Sequence, residues 1–129
     1  MAYAATVTVN HAPSVNGMQC FSVLIEETDA AASSEATIEG IPSYGRVVRQ
    51  VCHHSSGTGS TVDPILGIST NPAGADVVVE NDTAGGTVDN YVDGASYYAS
   101  GATLYHRSNV NSGTDNVVTT RYLIVAGWE

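Results

Sequence analysis

Apolar and polar residues alternate in short runs along this chain, and clusters of Gly, Pro, Asn, Asp and Ser part the runs. Strict alternation is the mark of a half-buried strand, and short apolar runs bounded by turn residues mark core strands. Residues 3–9 alternate, with Thr6 and Thr8 facing away from Val7 and Val9. His11-Ala12-Pro13 and Asn16-Gly17 then predict a break, the Asn-Gly pair being a strong turn signal. Residues 18–26 form an apolar run that closes on carboxylates, as suits a core strand. The helix-like stretch is 29–34, where Ala30, Ala31 and Ala32 follow a capping Thr28 or Asp29. It is too short to stand as a helix and reads as a turn or loop.

Further strands are predicted over 36–41, 46–54, 61–62, 65–69, 75–80, 87–92 and 117–126, with one or two more across 97–106. Turns are expected at 42–45, 55–60, Asp63-Pro64, 71–74, 82–86 and Asp93-Gly94, and a polar loop at 108–115. Strands this short and this regularly punctuated predict an all-β, single-domain antiparallel β-sandwich or jelly-roll-like barrel over residues 1–129, with about 8–10 short strands. Composition agrees. Val, Ile and Thr supply 36 of 129 residues, against four Leu, two Met and no Lys. Side chains branched at Cβ crowd a helix and pack well on a pleated sheet.

Charge narrows the partners. Four arginines face thirteen acidic residues, a formal charge of −9. Duplex nucleic acid is bound by neutralising phosphates, which this chain is poorly equipped to do, and anionic membranes are disfavoured likewise. No run reaches the roughly 18 apolar residues of a membrane span. The start, Met1-Ala2-Tyr3-Ala4-Ala5, lacks the basic opening and apolar centre of a signal peptide, so synthesis in a cytoplasm is expected. Cys20 and Cys52 fall in separate predicted strands. They read as buried thiols, with a cross-strand disulfide open should those strands be neighbours.

No catalytic residue, cofactor site or metal site is predicted. His53 and His54 point to opposite faces of a strand and cannot easily share a metal, while His11 and His106 stand alone. Asp63, Asp76, Asp82, Asp89, Asp93 and Asp115 lie in or beside predicted turns, where carboxylates serve the local backbone; calcium is the alternative use. Gly57-Thr58-Gly59-Ser60-Thr61 resembles a phosphate-cradling loop but has no lysine or following helix. Tyr91, Tyr97, Tyr98 and Tyr105 are the candidate ligand-binding residues, because a tyrosine packs its ring and hydrogen-bonds through its hydroxyl.

Residues 34–42, then Gly45-Arg46-Val47-Val48, then 57–67 with its Gly-Thr turn leading into Val62-Asp63-Pro64, resemble small virion structural proteins of tailed bacteriophages. The group most alike in kind is the capsid decoration, or cement, proteins. That resemblance implies a small β-sandwich, often trimeric, seated on the outer capsid surface and binding the major capsid protein across subunit joints after assembly in the bacterial cytoplasm. It carries no site residue with it.

The expected function is therefore non-enzymatic: added contact area that stabilises an assembled shell. Segments 1–9 and 122–129 are the expected contact regions, with Tyr3, Val7, Val9, Tyr122, Ile124 and Trp128 as interface candidates, since a terminal strand can extend a neighbour's sheet and Trp is an interface anchor. The alternatives are a carbohydrate- or receptor-binding module of a phage fibre, touching a host surface glycan, or a tail or connector protein.

Overall fold

A computed structural model describes residues 2–15, 18–59, 61–80, 83–84, 89–99, 103–111 and 113–126; the side chains of 13–15, 83–84 and 89–96 are left aside. The strands are β1 (Ala4–Val15), β2 (Met18–Thr28), β3 (Ala36–Ile38), β4 (Tyr44–Ser56), β5 (Thr61–Val62), β6 (Ile65–Gly67), β7 (Val77–Glu80), β8 (Thr83–Ala84), β9 (Asp89–Ala99), β10 (Leu104–Arg107) and β11 (Val117–Ala126), with one 3-10 turn at Gly74–Asp76. Every pairing is antiparallel. Five strands form one sheet in the order β1-β2-β11-β4-β9, four form another in the order β3-β10-β6-β7, and β5 and β8 make a small ribbon. The fold is the sandwich form of the expected all-β architecture.

Alternation decides which face each strand buries. Along β11, Val118, Thr120, Tyr122, Ile124 and Ala126 point inward, and the residues between them face out. The main core joins Phe21, Val23 and Ile25 of β2 and Tyr122 and Ile124 of β11 to Ile38, Leu66, Val79 and Leu104 of the smaller sheet. A second, smaller cluster holds Ala30, Cys52, Val62, Val110 and Val118.

Two expected breaks are bulges instead. β1 runs through His11-Ala12-Pro13, and its register against β2 slips between Ala12 and Val15. Proline lacks an N–H to donate, so a bulge on an edge strand is where it can sit. β9 likewise runs through Asp93-Gly94. There β9 advances from Asp93 to Ser96 while β4 advances from Arg49 to Val47, so β9 carries one extra residue at Gly94-Ala95. The Asp-Gly signal is spent on a bulge. The expected turn at Asn16-Gly17 lies outside the described residues; of the turn expected over 82–86, Thr83-Ala84 form strand β8 instead and the other positions lie outside the described residues.

Gly45 shows how tightly β4 meets its neighbours. A Cβ there would sit 2.7 Å from the Ala126 Cβ and 2.9 Å from the Tyr98 hydroxyl. That hydroxyl donates to the Pro42 carbonyl at 3.2 Å. Burial pushes the Tyr98 phenol from its ordinary 10.0 up to about 12. The fold favours the neutral phenol, so this contribution to stability is whole below pH 10.0 and lost as pH rises through about 12. Tyr98→Phe should flatten the alkaline fall in the urea midpoint; an unchanged slope would contradict the assignment.

Candidate functional site

Two clusters of side chains stand out, one sealed inside the sandwich and one on its surface. The sealed cluster lies between the two apolar ones. His106 of β10 approaches the Tyr122 hydroxyl through Nδ1 at 2.6 Å, and through Nε2 it approaches Ser108 Oγ at 2.9 Å and Glu27 Oε1 at 3.2 Å. Ser108 also donates to Glu27 Oε1, and Tyr3 donates to Glu27 Oε2 at 2.7 Å. Gln50 donates to the Tyr122 hydroxyl at 2.9 Å, and Thr120 Oγ1 lies 3.4 Å from His106 Nε2.

Burial raises the Glu27 pKa, but the bond and charge of His106, then the Ser108 and Tyr3 hydroxyls, outweigh it and leave the carboxyl below its usual range. Burial drives the Tyr122 hydroxyl well above its ordinary value, and burial beside Glu27 does the same to Tyr3.

A serine, a histidine and a carboxylate in contact invite comparison with a nucleophilic triad. The geometry differs from one. In a triad the carboxylate holds the ring nitrogen opposite the serine; here Ser108 and Glu27 share Nε2, and Nδ1 faces Tyr122. Glu27, His106 and Ser108 are each at most 1 % exposed. The cluster knits the two sheets together, with β2, β4 and β11 on one side and β10 with Ser108 just beyond it on the other. Sequence reading missed it because Glu27 and His106 are 79 positions apart. The available signal was that Glu27 shares the inward face of β2 with Phe21, Val23 and Ile25, where a carboxylate requires a partner.

The surface cluster lies on the outer face of the five-stranded sheet. Register sets Leu24, Arg121 and Val51 in one row across β2, β11 and β4, Ser22, Leu123 and Arg49 in the next, and Cys20, Val125 and Arg46 in the next. Tyr97 of β9 continues the last row. Three of the four basic side chains thus share this face. The fourth, Arg107, lies elsewhere, donating to Asn71 Oδ1 at 2.6 Å and to the Ala32 carbonyl. Met18, Tyr97 and Leu123 are 46 %, 68 % and 37 % exposed. Met18, Arg46, Tyr97 and Val125 line a shallow cleft of about 120 Å³. In backbone register Asp93 and Asp89 stand opposite Arg49 and His53 on the β9 side, and the exposed Glu26 lies one row beyond Leu24.

The expected site residues scatter. Tyr122 and Ile124 are buried in the core, which corrects their reading as interface anchors: β11 lies between β2 and β4, in the middle of the sheet. Val7 and Val9 are half-buried against the core, and Tyr3 is bonded to Glu27. Trp128 lies outside the described residues. The four tyrosines do not converge. Tyr97 is exposed, Tyr98 is buried on the opposite face, Tyr105 is half-buried in the other sheet, and Tyr91 keeps only its backbone place in β9.

His54 is buried and lies 3.2 Å from Asn116 Oδ1, while His53 is exposed, as alternation requires. Asp89 and Asp93 lie within β9, away from the expected turns, and Asp82 is outside the described residues. Cys20 and Cys52 form no disulfide: they lie on opposite faces with β11 between their strands, so they cannot pair with each other within one molecule. Among the described residues no group of three His, Cys, Asp or Glu comes together to hold a metal, and no helix is long and apolar enough to cross a membrane.

No protein-family model matches the chain, and no curated protein matches it. Solved structures similar to it include the K1 cleaved adhesin domain of Lys-gingipain from Porphyromonas gingivalis W83, at 8 % identity and TM-score 0.43 over 98 % of this chain and 99 % of that one. A nora virus structure matches at 11 % identity and TM-score 0.36 over 95 % of this chain and 65 % of that one. A CBM4 structure matches at 14 % identity and TM-score 0.26 over 98 % and 92 %. Likenesses at this level carry no inference about function.

Proposed function

We propose that this chain is a non-enzymatic virion structural protein, a decoration protein of a phage head that acts by adhesion. The observation that carries the reading is the outer face of the five-stranded sheet, where Arg46, Arg49 and Arg121 lie among Leu24, Leu123, Val125, Met18 and Tyr97. Arg, Tyr and Met are the side chains enriched at the centre of protein interfaces. In a chain of charge −9, this face is where an acidic partner could approach without repulsion. The partner it fits is a protein surface with carboxylates set among apolar side chains, as an outer shell of capsid subunits could present.

Arg121→Glu combined with Leu123→Asp alters two exposed positions and should leave the fold intact. Occupancy on purified heads, read by co-sedimentation, should fall at least about tenfold, a change of roughly 1.4 kcal/mol. Undiminished occupancy would overturn the assignment of this face.

One observation favours a second reading, a glycan-binding module of a phage fibre. Tyr97, the most exposed large aromatic described, stands over the cleft lined by Met18, Arg46 and Val125, and such a ring can stack on a sugar. Binding on a glycan array that Tyr97→Ala abolishes would favour it over the decoration reading.

A further inference from the structure

We infer that β1 is a self-pairing edge, and that two copies of this chain associate by laying their β1 strands antiparallel to form a continuous ten-stranded sheet. The inference stands apart from the docking reading, because it concerns the sheet's edge and not its arginine-bearing face. Among the described residues β1 pairs with β2 alone and closes one side of the sheet. From Ala4 to Ala12 its register is unbroken, so nine residues present one free row of backbone donors and acceptors. Natural edges of this length are guarded by lysine, by inward charges or by proline. Here Pro13 only bounds the run, and the first charged side chain in the sequence is Glu26.

That neutrality names the occupant. The chain carries −9, with its thirteen carboxylates spread over the rest of the sequence, so two copies repel over most of their surface. The edge carries no carboxylate and no arginine; its one titratable side chain is His11, stacked on Phe21. Alternation also fits a copy of itself. With Thr8 opposite Thr8 of the second copy, Val7 meets Val9 and Thr6 meets Asn10, so valines pair with valines on the core side and polar residues pair on the outer side. Val7 and Val9 are half-buried against the core, and this pairing would finish covering them. A contact of nine residues a side is small, so the dimer is weak and concentration-dependent. A two-fold pairing closes at two copies, unlike the trimer that the phage resemblance implies.

Sedimentation velocity of the full chain over a wide concentration range tests the inference. Wild type should pass from monomer to dimer. Thr8→Lys, which sets two ammonium groups opposite each other at the two-fold axis, should raise the dissociation constant at least about tenfold, roughly 1.4 kcal/mol, with an unchanged circular-dichroism spectrum. In a Cys20→Ser background, Thr8→Cys should form a cross-linked dimer under mild oxidation faster than Thr6→Cys, because only the former faces itself. A wild type monomeric throughout, a dimer indifferent to Thr8→Lys, or Thr6→Cys cross-linking as fast as Thr8→Cys would each overturn it.

Discussion

Glu27→Ala should cost about 3–5 kcal/mol of folding stability, because it strips the buried cluster of its carboxylate. His106, Ser108 and Tyr3 all direct polar atoms at Glu27, and in the variant those groups would stay buried facing a void. An unsatisfied buried donor costs about 1–3 kcal/mol by itself, so the loss exceeds that of one hydrogen bond. Glu27→Gln keeps the shape and should cost less than the alanine variant. The same carboxyl sets an acid limit. Its pKa is held below the ordinary 4.5, so it contributes stability that is present above pH 4.5 and lost as pH falls through its lowered value. Urea titrations along an acid series should show wild type weakening below that point, with the Glu27→Gln slope shallower there. A Glu27→Ala protein as stable as wild type would mean that the cluster is not what joins the two sheets.

The second large effect separates two adjacent residues. Ile124→Ala should lose about 2–5 kcal/mol, since it opens a cavity in the main core. Leu123→Ala, one position away on the outer face, should change stability by about 0.5 kcal/mol or less. The contrast tests the proposed function as well as the packing: Leu123 lies on the outer face proposed for docking and Ile124 in the interior. If Ile124→Ala left stability intact while reducing particle binding, the two faces of β11 would have been exchanged.

The architecture could be read from the sequence because β-branched residues and alternation act locally. Strand β11 spans Val117–Ala126, the range its pattern predicts. Pro13 and Gly94 misled for one reason. Both are turn residues, and both can also sit in a bulge, a choice made by the neighbouring strand. Tyr122 and Ile124 misled differently. A position near the end of the chain suggested an exposed edge, but strand order is fixed by distant pairing, which drew β11 between β2 and β4. The arginine face shared that obscurity, since Arg46 and Arg121 become neighbours only once β4 and β11 pair. The Glu27 cluster draws on four strands, and no local motif could announce it.

A reconstruction of the phage particle by electron cryomicroscopy tests the central claim most directly. The docking account expects this sandwich on the outside of the shell, with the outer face of the five-stranded sheet turned toward the capsid and Arg121 and Leu123 at the contact. Particles that lack the chain, or that hold it by the four-stranded sheet with the arginine face turned to solvent, would contradict it.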